Sequence, residues 1–502
     1  MRPPPEAAAA LKPSAPDAAT ATVTLTDPTL DRPDSPAPIN GDRHPWLVEA
    51  RALARLAAPL VLTQLAQMAV VTTDVIMLGR LGKTPLAASA IGSTLYFLCW
   101  LMACGPASAI AAVVAHIEGE RGVGAKRGRG PVRRALRMGL WSAALLCLPM
   151  ALALQFAKPV FLMAHQDPGV AAGAGVFVGW LSFGLAFSVG YQALRNWATA
   201  LGHAKAPLWV MGATIAYNAL ADYALIFGHF GLPRLGLAGS GMATASSSLF
   251  SFLVMAGVIV ATPDLRAYRP WRRIGRLDWT MLKELLRLGL PIGLTSSFEA
   301  MMFNAMTWVM GAFGAGPLAA HQIALNVASI TFMAPLGVAL AATVRVGLFA
   351  GRGDLAGARR AGWTAMALGV GCASISGLVM ITLGRPITGL YFGGRLADPE
   401  VVRLAVIFLK IAAAFQIVDA IQVVGGLCLR GLKDARMPMV LAGTAYWLIG
   451  APACLWLAFG LHMAGVGVWI GLAIGLAAAA VLMVGRFERL TRSRPAKAAP
   501  QG

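Results

Sequence analysis

Past about residue 45 the chain alternates long apolar stretches with short clusters of Arg, Lys, Gly and Pro. Twelve stretches stand out, near residues 53–81, 86–117, 136–163, 170–199, 207–230, 236–261, 282–313, 317–350, 357–384, 400–429, 436–460 and 464–485. Each runs to about 20 residues or more, the length an α-helix needs to cross a hydrocarbon layer of about 30 Å. The pattern predicts an all-α integral membrane protein with twelve transmembrane helices.

The stretches also repeat. LAAPLVLTQLAQMAVVTTDVIMLGRLGKTPLAA in the first lies over LGLPIGLTSSFEAMMFNAMTWVMGAFGAGPLAA in the seventh at one offset of 232 residues, matching Pro59 to Pro291, Thr63 to Thr295, Gly82 to Gly314 and Pro85 to Pro317. The same offset pairs Gly105 with Gly337 and Gly119 with Gly351, and a similar one pairs Ala204-Lys205-Ala206-Pro207 with Ala435-Arg436-Met437-Pro438. Two six-helix pseudo-symmetric bundles follow. Because six is even, both enter the membrane from the same side, and the repeat axis lies along the membrane normal. The expected divisions are a Pro- and Ala-rich disordered tail over 1–45, a first lobe over 46–262, a basic linker over 263–280, a second lobe over 281–490 and a basic tail over 491–502.

Composition agrees: 57% of residues are hydrophobic and 13% charged, and the mean hydropathy is +0.67. The net charge of +20 would suggest nucleic acid in a soluble protein. Here the cations crowd onto alternate loops, as in Arg121 to Arg134, Arg266 to Arg276, Arg352 to Arg360, Arg430 to Arg436 and Arg486 to Arg494. By the positive-inside rule that places both termini in the cytoplasm, in a multi-pass protein of the plasma (inner) membrane with lipid, and no nucleic acid, as its surroundings. The six cysteines lie inside apolar segments without CxxC spacing and are expected to pack rather than to pair or bind metal. Gly79-Arg80-Leu81-Gly82-Lys83-Thr84 resembles the tail of a nucleotide-binding loop. The first glycine of such a loop would fall on Met77, and the second repeat keeps the glycines and proline but replaces Lys83-Thr84 with Ala315-Gly316. The shared feature is a tight turn between two membrane helices.

Four carboxylates lie within the apolar segments: Asp74, Asp222, Glu299 and Asp419. An ionisable group there costs roughly 2.5 to 3.5 kcal/mol on insertion scales, which makes each a functional candidate. Asp74 follows Pro59, and Asp222 follows Pro207, by the same number of residues on helices running outward; both fall roughly 22 Å from the inner ends, at one level. Asn218 and Asp222 share a helix face at i, i+4, and Gln67 and Asp74 share another at i, i+7. Glu299 and Asp419 fall nearer the midplane. The repeat mates of Asp74, Glu299, Asp419 and Asp222 are Met306, Gln67, about Ser188 and about Ala453, so the six-helix unit does not need these acids in order to fold. The alternative is a carboxyl that only stabilises helix packing through hydrogen bonds. His321, Asn326 and Gln416 are further polar lining candidates; His321 and Asn326, like Arg195 and Arg345 near inner helix ends, equally suit polar packing or snorkelling.

PLAAHQIALNVASITFMAPLGVALAATVRVG (Pro317 to Gly347) and FQIVDAIQVVGGLCLRGLKDARMP (Phe415 to Pro438), with TTDVIMLGRLG and NALADYALIFG, resemble the multidrug and toxic compound extrusion (MATE) family, closest to its NorM branch, over about residues 46 to 490. The resemblance implies the MATE fold and export of small organic, often cationic compounds in exchange for H⁺ or Na⁺. It places the family's first-helix aspartate on Asp74, its fifth-helix pair on Asn218 and Asp222 with Thr244 as a sixth-helix companion, its seventh-helix glutamate on Glu299 and its tenth-helix aspartate on Asp419. Sodium would then bind at Glu299 and Asp419, or at Asp74, Asn218 and Asp222. No cofactor beyond the coupling ion is implied, no catalytic residue is assigned, and a monomer is expected.

Two other readings have specific requirements. A lipid-linked sugar flippase would line its cleft with Arg for pyrophosphate, whereas the mid-membrane charges here are acidic. A membrane transferase would need a DDxxD-type metal cluster or a His and Asp pair at an interface, and the sequence has neither.

Overall fold

The computed structural model describes residues 44–122, 129–392 and 398–492. The expectations for the tails at 1–43 and 493–502 lie outside the described residues. The long helices are α1 (Pro45–Gly79), α2 (Lys83–Arg121), α3 (Gly130–Leu154), α4 (Pro168–Ala200), α5 (Lys205–Phe227), α6 (Leu237–Ala261), α7 (Trp279–Gly311), α8 (Ala315–Gly351), α9 (Leu355–Thr382), α10 (Pro399–Gly431), α11 (Arg436–Gly460) and α12 (Ala464–Thr491). Short helices at Ala157–Met163, Pro263–Arg266 and Gly384–Leu390 connect them.

Eleven of the twelve are long and apolar enough to cross a membrane. The exception is α7, where Lys283, Glu284 and Arg287 in the first turns, then Ser296, Ser297 and Glu299, lower the hydropathy. Its length and its position in the repeat are those of α1, so it completes a twelve-helix, two-lobe molecule. The third segment is shorter than its apolar run suggests. Helix α3 ends at Leu154, five residues past Pro149, and the apolar residues up to Met163 form a separate short helix.

The turn after α1 has the geometry the repeat requires. Leu81 donates its N–H to the Leu78 carbonyl, and Gly82 takes φ +114° before α2 begins at Lys83; Gly314 takes φ +103° at the same place before α8. A side chain at either position would be strained, so the glycines recur while Lys83 and Thr84 do not.

The lobes are α1–α6 and α7–α12, and they press together at the end that bears the basic loops. A Cβ on Gly105 would lie 2.1 Å from the Gly289 carbonyl oxygen, one on Gly337 2.5 Å from Val61, and one on Gly351 2.1 Å from the His116 carbonyl oxygen. Gly119 and Gly351, repeat mates, meet across the interface. Below them Arg345 of α8 makes a bidentate ion pair with Glu49 of α1, both buried. Arg345, a snorkelling candidate in the sequence, is thus an interlobe contact. Among the described residues, no hydrogen bond, ion pair or ring pair joins the outer halves of the lobes. The lobes are sealed at the basic end and unjoined at the other, where the membrane-buried carboxyls lie: Asp74 is thirteen residues beyond Val61 along α1, and Glu299 six beyond Gly293 along α7.

Candidate carboxylate sites in the two lobes

In the first lobe three helices converge. Helix α1 brings Asp74, α5 brings Asn218 and Asp222 on one face, and α6 brings Thr244. Asp74 faces both Asp222 and Asn218. Thr244 donates its hydroxyl to Asp74 Oδ2 at 3.1 Å. Asn218 and Asp222 have no exposed surface. One oxygen of Asp74, both carboxyl oxygens of Asp222, and the amide nitrogen and oxygen of Asn218 are buried without a hydrogen-bond partner. Buried polar atoms without partners are costly. Four of these five atoms are oxygens, a donor set suited to a hard cation or to a shared proton.

The second lobe builds a different site at a different level. Glu299 of α7 and Asp419 of α10 are near enough to repel, with Tyr446 of α11 near both and Arg430 near Glu299. Gln422 donates its amide to the Tyr446 hydroxyl at 2.7 Å. Asp419 keeps one oxygen, and Gln422 its carbonyl oxygen, buried and unpartnered. A cavity of about 10 Å³ between Glu299, Phe303, Tyr446 and Leu476 is close to the smallest that holds one water. Tyr446 sits in a stretch of π-helix, Thr444–Gly450, within α11. Such wide turns redirect side chains and recur at functional sites.

In each lobe, therefore, a buried carboxyl, Asp222 or Asp419, lies near a half-buried one, Asp74 or Glu299. Two negative charges so placed repel; in the second lobe Arg430 lies near Glu299 and offsets part of that repulsion, and in the first a proton on one acid or a cation between them would relieve it. The lobes do not duplicate the device. Where the first lobe has its cluster, the second packs Gly450 against Gly475, a Cβ on Gly450 falling 3.0 Å from the Gly475 Cα. Where the second lobe has Asp419, the first has Ser188, which accepts from the Trp100 indole at 2.8 Å.

The other candidates have local partners. His321 is fully buried, 3.2 Å from the Thr307 hydroxyl and edge-on to Trp469. Gln416 donates to the Ala328 carbonyl at 2.7 Å and to Thr331 at 3.1 Å. Asn326 accepts from Tyr391 at 2.7 Å, and Arg195 donates to Gln64 at 2.8 Å. Gln67 is half-buried, and no hydrogen bond ties it to the Asp74 cluster among the described residues. Gln422 and Tyr446 are absent from the sequence-based candidates. Gln422 was within reach of them, since it lies one turn from Asp419 at i, i+3; nothing local marks Tyr446.

The Thr244 hydroxyl gives the first-lobe site a test of its own. Thr244→Val keeps the shape and removes a hydrogen bond to a carboxylate, worth about 1.5 to 3 kcal/mol. If this site binds a coupling ion, the expected result is a loss of about tenfold or more in apparent affinity for it, read from export rate against H⁺ or Na⁺ concentration. An unchanged ion dependence would mean that Asp74 does not bind the ion.

The chain was compared with known proteins. The MatE family model matches it twice, over residues 59–224 and 291–456, so both matches begin at the prolines that define the repeat. The chain is 41% identical over 451 residues to a protein of Mesorhizobium japonicum named probable multidrug resistance protein NorM, covering 90% of this chain and 96% of that one. It is likewise 41% identical over 444 residues to the multidrug resistance protein NorM of Burkholderia vietnamiensis, covering 88% and 94%. Among solved structures it resembles the eukaryotic MATE transporter AtDTX14, with TM-score 0.76 at 22% identity over 89% of this chain and 99% of that one. It also resembles a MATE structure in a straight conformation, with TM-score 0.78 at 17% identity over 88% and 96%. With the family pattern in both halves and relatives matched along nearly their whole length, this chain belongs to the MATE family of membrane transporters.

Proposed function

We propose that the protein is a secondary active multidrug exporter of the plasma membrane, with its basic loops and termini in the cytoplasm. It exchanges small organic, chiefly cationic compounds for H⁺ or Na⁺ by alternating access. The observation that carries this reading is the pair of neighbouring carboxyls in each lobe, with buried unpartnered oxygens on Asp74, Asp222 and Asp419. Such a pair exchanges one positive charge for another. Binding of H⁺ or Na⁺ from outside neutralises the site and weakens its hold on an organic cation; release of the ion toward the cytoplasm restores it. Rocking of the lobes about the glycine-lined contact changes which end is open. The relatives named for multidrug resistance support the substrate class.

The energetics are sufficient without ATP. Exchange of one monovalent cation for one H⁺ or Na⁺ moves no net charge, so the ion's own gradient drives it: a tenfold gradient supplies about 1.4 kcal/mol, enough for a concentration ratio of about tenfold. The test uses purified protein in liposomes with an imposed pH gradient and no sodium. Ethidium added to them is expected to release protons through the protein. If release requires sodium, the exchange is with Na⁺; silence under both gradients would overturn the antiport reading.

A further inference from the structure

A cavity of about 520 Å³ lies at the basic end, away from the transport cleft. Its walls are Trp46 of α1, Arg359, Arg360 and Trp363 of α9, and Arg492 at the end of α12. Trp46 precedes Asp74 on α1 by about 28 residues, roughly 42 Å along the axis. The cavity is a seam between the lobes, with one wall from the first and the others from the second.

Its charge is unbalanced. Glu488 accepts from Arg359 Nε at 2.9 Å, from the Trp363 indole at 3.1 Å and from Arg492 Nε at 3.2 Å. That leaves three guanidinium groups to one carboxylate, and Arg360 Nε is buried with no partner. Trp46 and Trp363 are 54% and 38% exposed beside these cations. Indole rings at helix ends suit the boundary between headgroups and acyl chains. A free inorganic anion would use the arginines and leave the indoles idle. A phospholipid uses both.

We propose that this seam binds the headgroup of an anionic phospholipid from the surrounding leaflet. Arg360 and Arg492 hold the phosphate, and the acyl chains run along Trp46 and Trp363. Trp46 lies one turn from Glu49, whose ion pair with Arg345 joins the lobes, so the lipid bridges the two lobes where they are already sealed. Its binding favours the form closed at the basic end, which makes the conformational balance depend on lipid composition.

The test is native mass spectrometry of the full chain in detergent with phosphatidylglycerol or phosphatidylcholine, a readout independent of export. The intact protein is expected to retain phosphatidylglycerol preferentially. Arg360→Gln with Arg492→Gln is expected to cut that preference by about tenfold or more, each arginine near the surface contributing on the order of fivefold. Arg269→Gln with Arg272→Gln removes the same charge from the exposed linker and is expected to leave the preference intact. Trp46→Ala, which changes no charge, is expected to reduce retention of both lipids at the site and checks the seam if the arginine variant fails to fold. Undiminished adducts in the arginine and Trp46 variants, or equal loss in the linker control, would overturn the proposal. So would full competition by glycerol phosphate, which would make the seam a site for small anions.

Discussion

Asp419→Asn and Glu299→Gln are each expected to abolish coupled export while leaving the protein inserted and folded. Both substitutions keep a hydrogen-bonding side chain of nearly the same shape in the second-lobe site and remove its ability to carry an exchangeable charge. The carboxyls lie near enough to repel, with Tyr446 close by, and one Asp419 oxygen has no partner. Neutralising either would remove the repulsion that, in the proposed exchange, makes the pair take up a proton or a cation. With a tenfold ion gradient, loss of the exchange corresponds to a loss of about tenfold in the attainable concentration ratio. The measurement is accumulation of a fluorescent organic cation in vesicles, normalised to the amount of protein in the membrane. Asp222→Asn, made in parallel, locates the coupling. If it is silent while the second-lobe variants fail, α7 and α10 carry the exchange; the reverse outcome moves it to α1 and α5. Wild-type accumulation in both second-lobe variants would refute their role.

Gly105→Val is expected to prevent the lobes from sealing at the basic end. The first atom of any side chain there would lie 2.1 Å from the Gly289 carbonyl oxygen, and a Cβ on Gly289 would lie 2.3 Å from the Pro106 backbone. Both neighbours are backbone within helices and have little room to yield. Overpacking of this kind costs about 1 to 3 kcal/mol or more, which reduces the sealed population by about fivefold to 150-fold. Spin labels on exposed Arg55 of α1 and Lys283 of α7 are expected to report longer distances between the lobes, and transport is expected to fall with them. Gly212→Val is the control, because a Cβ there meets nothing within 4 Å. An unchanged distance distribution in Gly105→Val would mean that the close approach is not needed for the closed form.

The two experiments test different parts of one cycle. The first removes an acid of the proposed exchange site and leaves the glycine-lined contact alone; the second does the reverse. Together with the ion dependence of Thr244→Val they distinguish failure to bind the ion, failure to couple it and failure to change conformation.

Several features are fixed by the order of residues alone. Twelve long helices, the duplication at Pro59 and Pro291, and the four acids within apolar segments depend on hydropathy, helix length and the cost of burying charge. Those quantities are local, so they can be read along the chain. The equal level of Asp74 and Asp222 is of the same kind, because rise per residue is constant. The end of α3 at Leu154 was not legible in this way, since an apolar run does not say whether one helix or two will fill it. Nor was the role of Gly105 and Gly337. The sequence marks them as repeat mates; only the packed lobes show that their missing side chains let two backbones touch. Tyr446 reaches Glu299 and Asp419 from a helix with no acid of its own, through a widened turn that no local pattern announces. The seam between Trp46, Arg360 and Arg492 joins residues more than three hundred positions apart. Such juxtapositions are set by how whole helices pack across the two lobes, and that is decided by the tertiary fold.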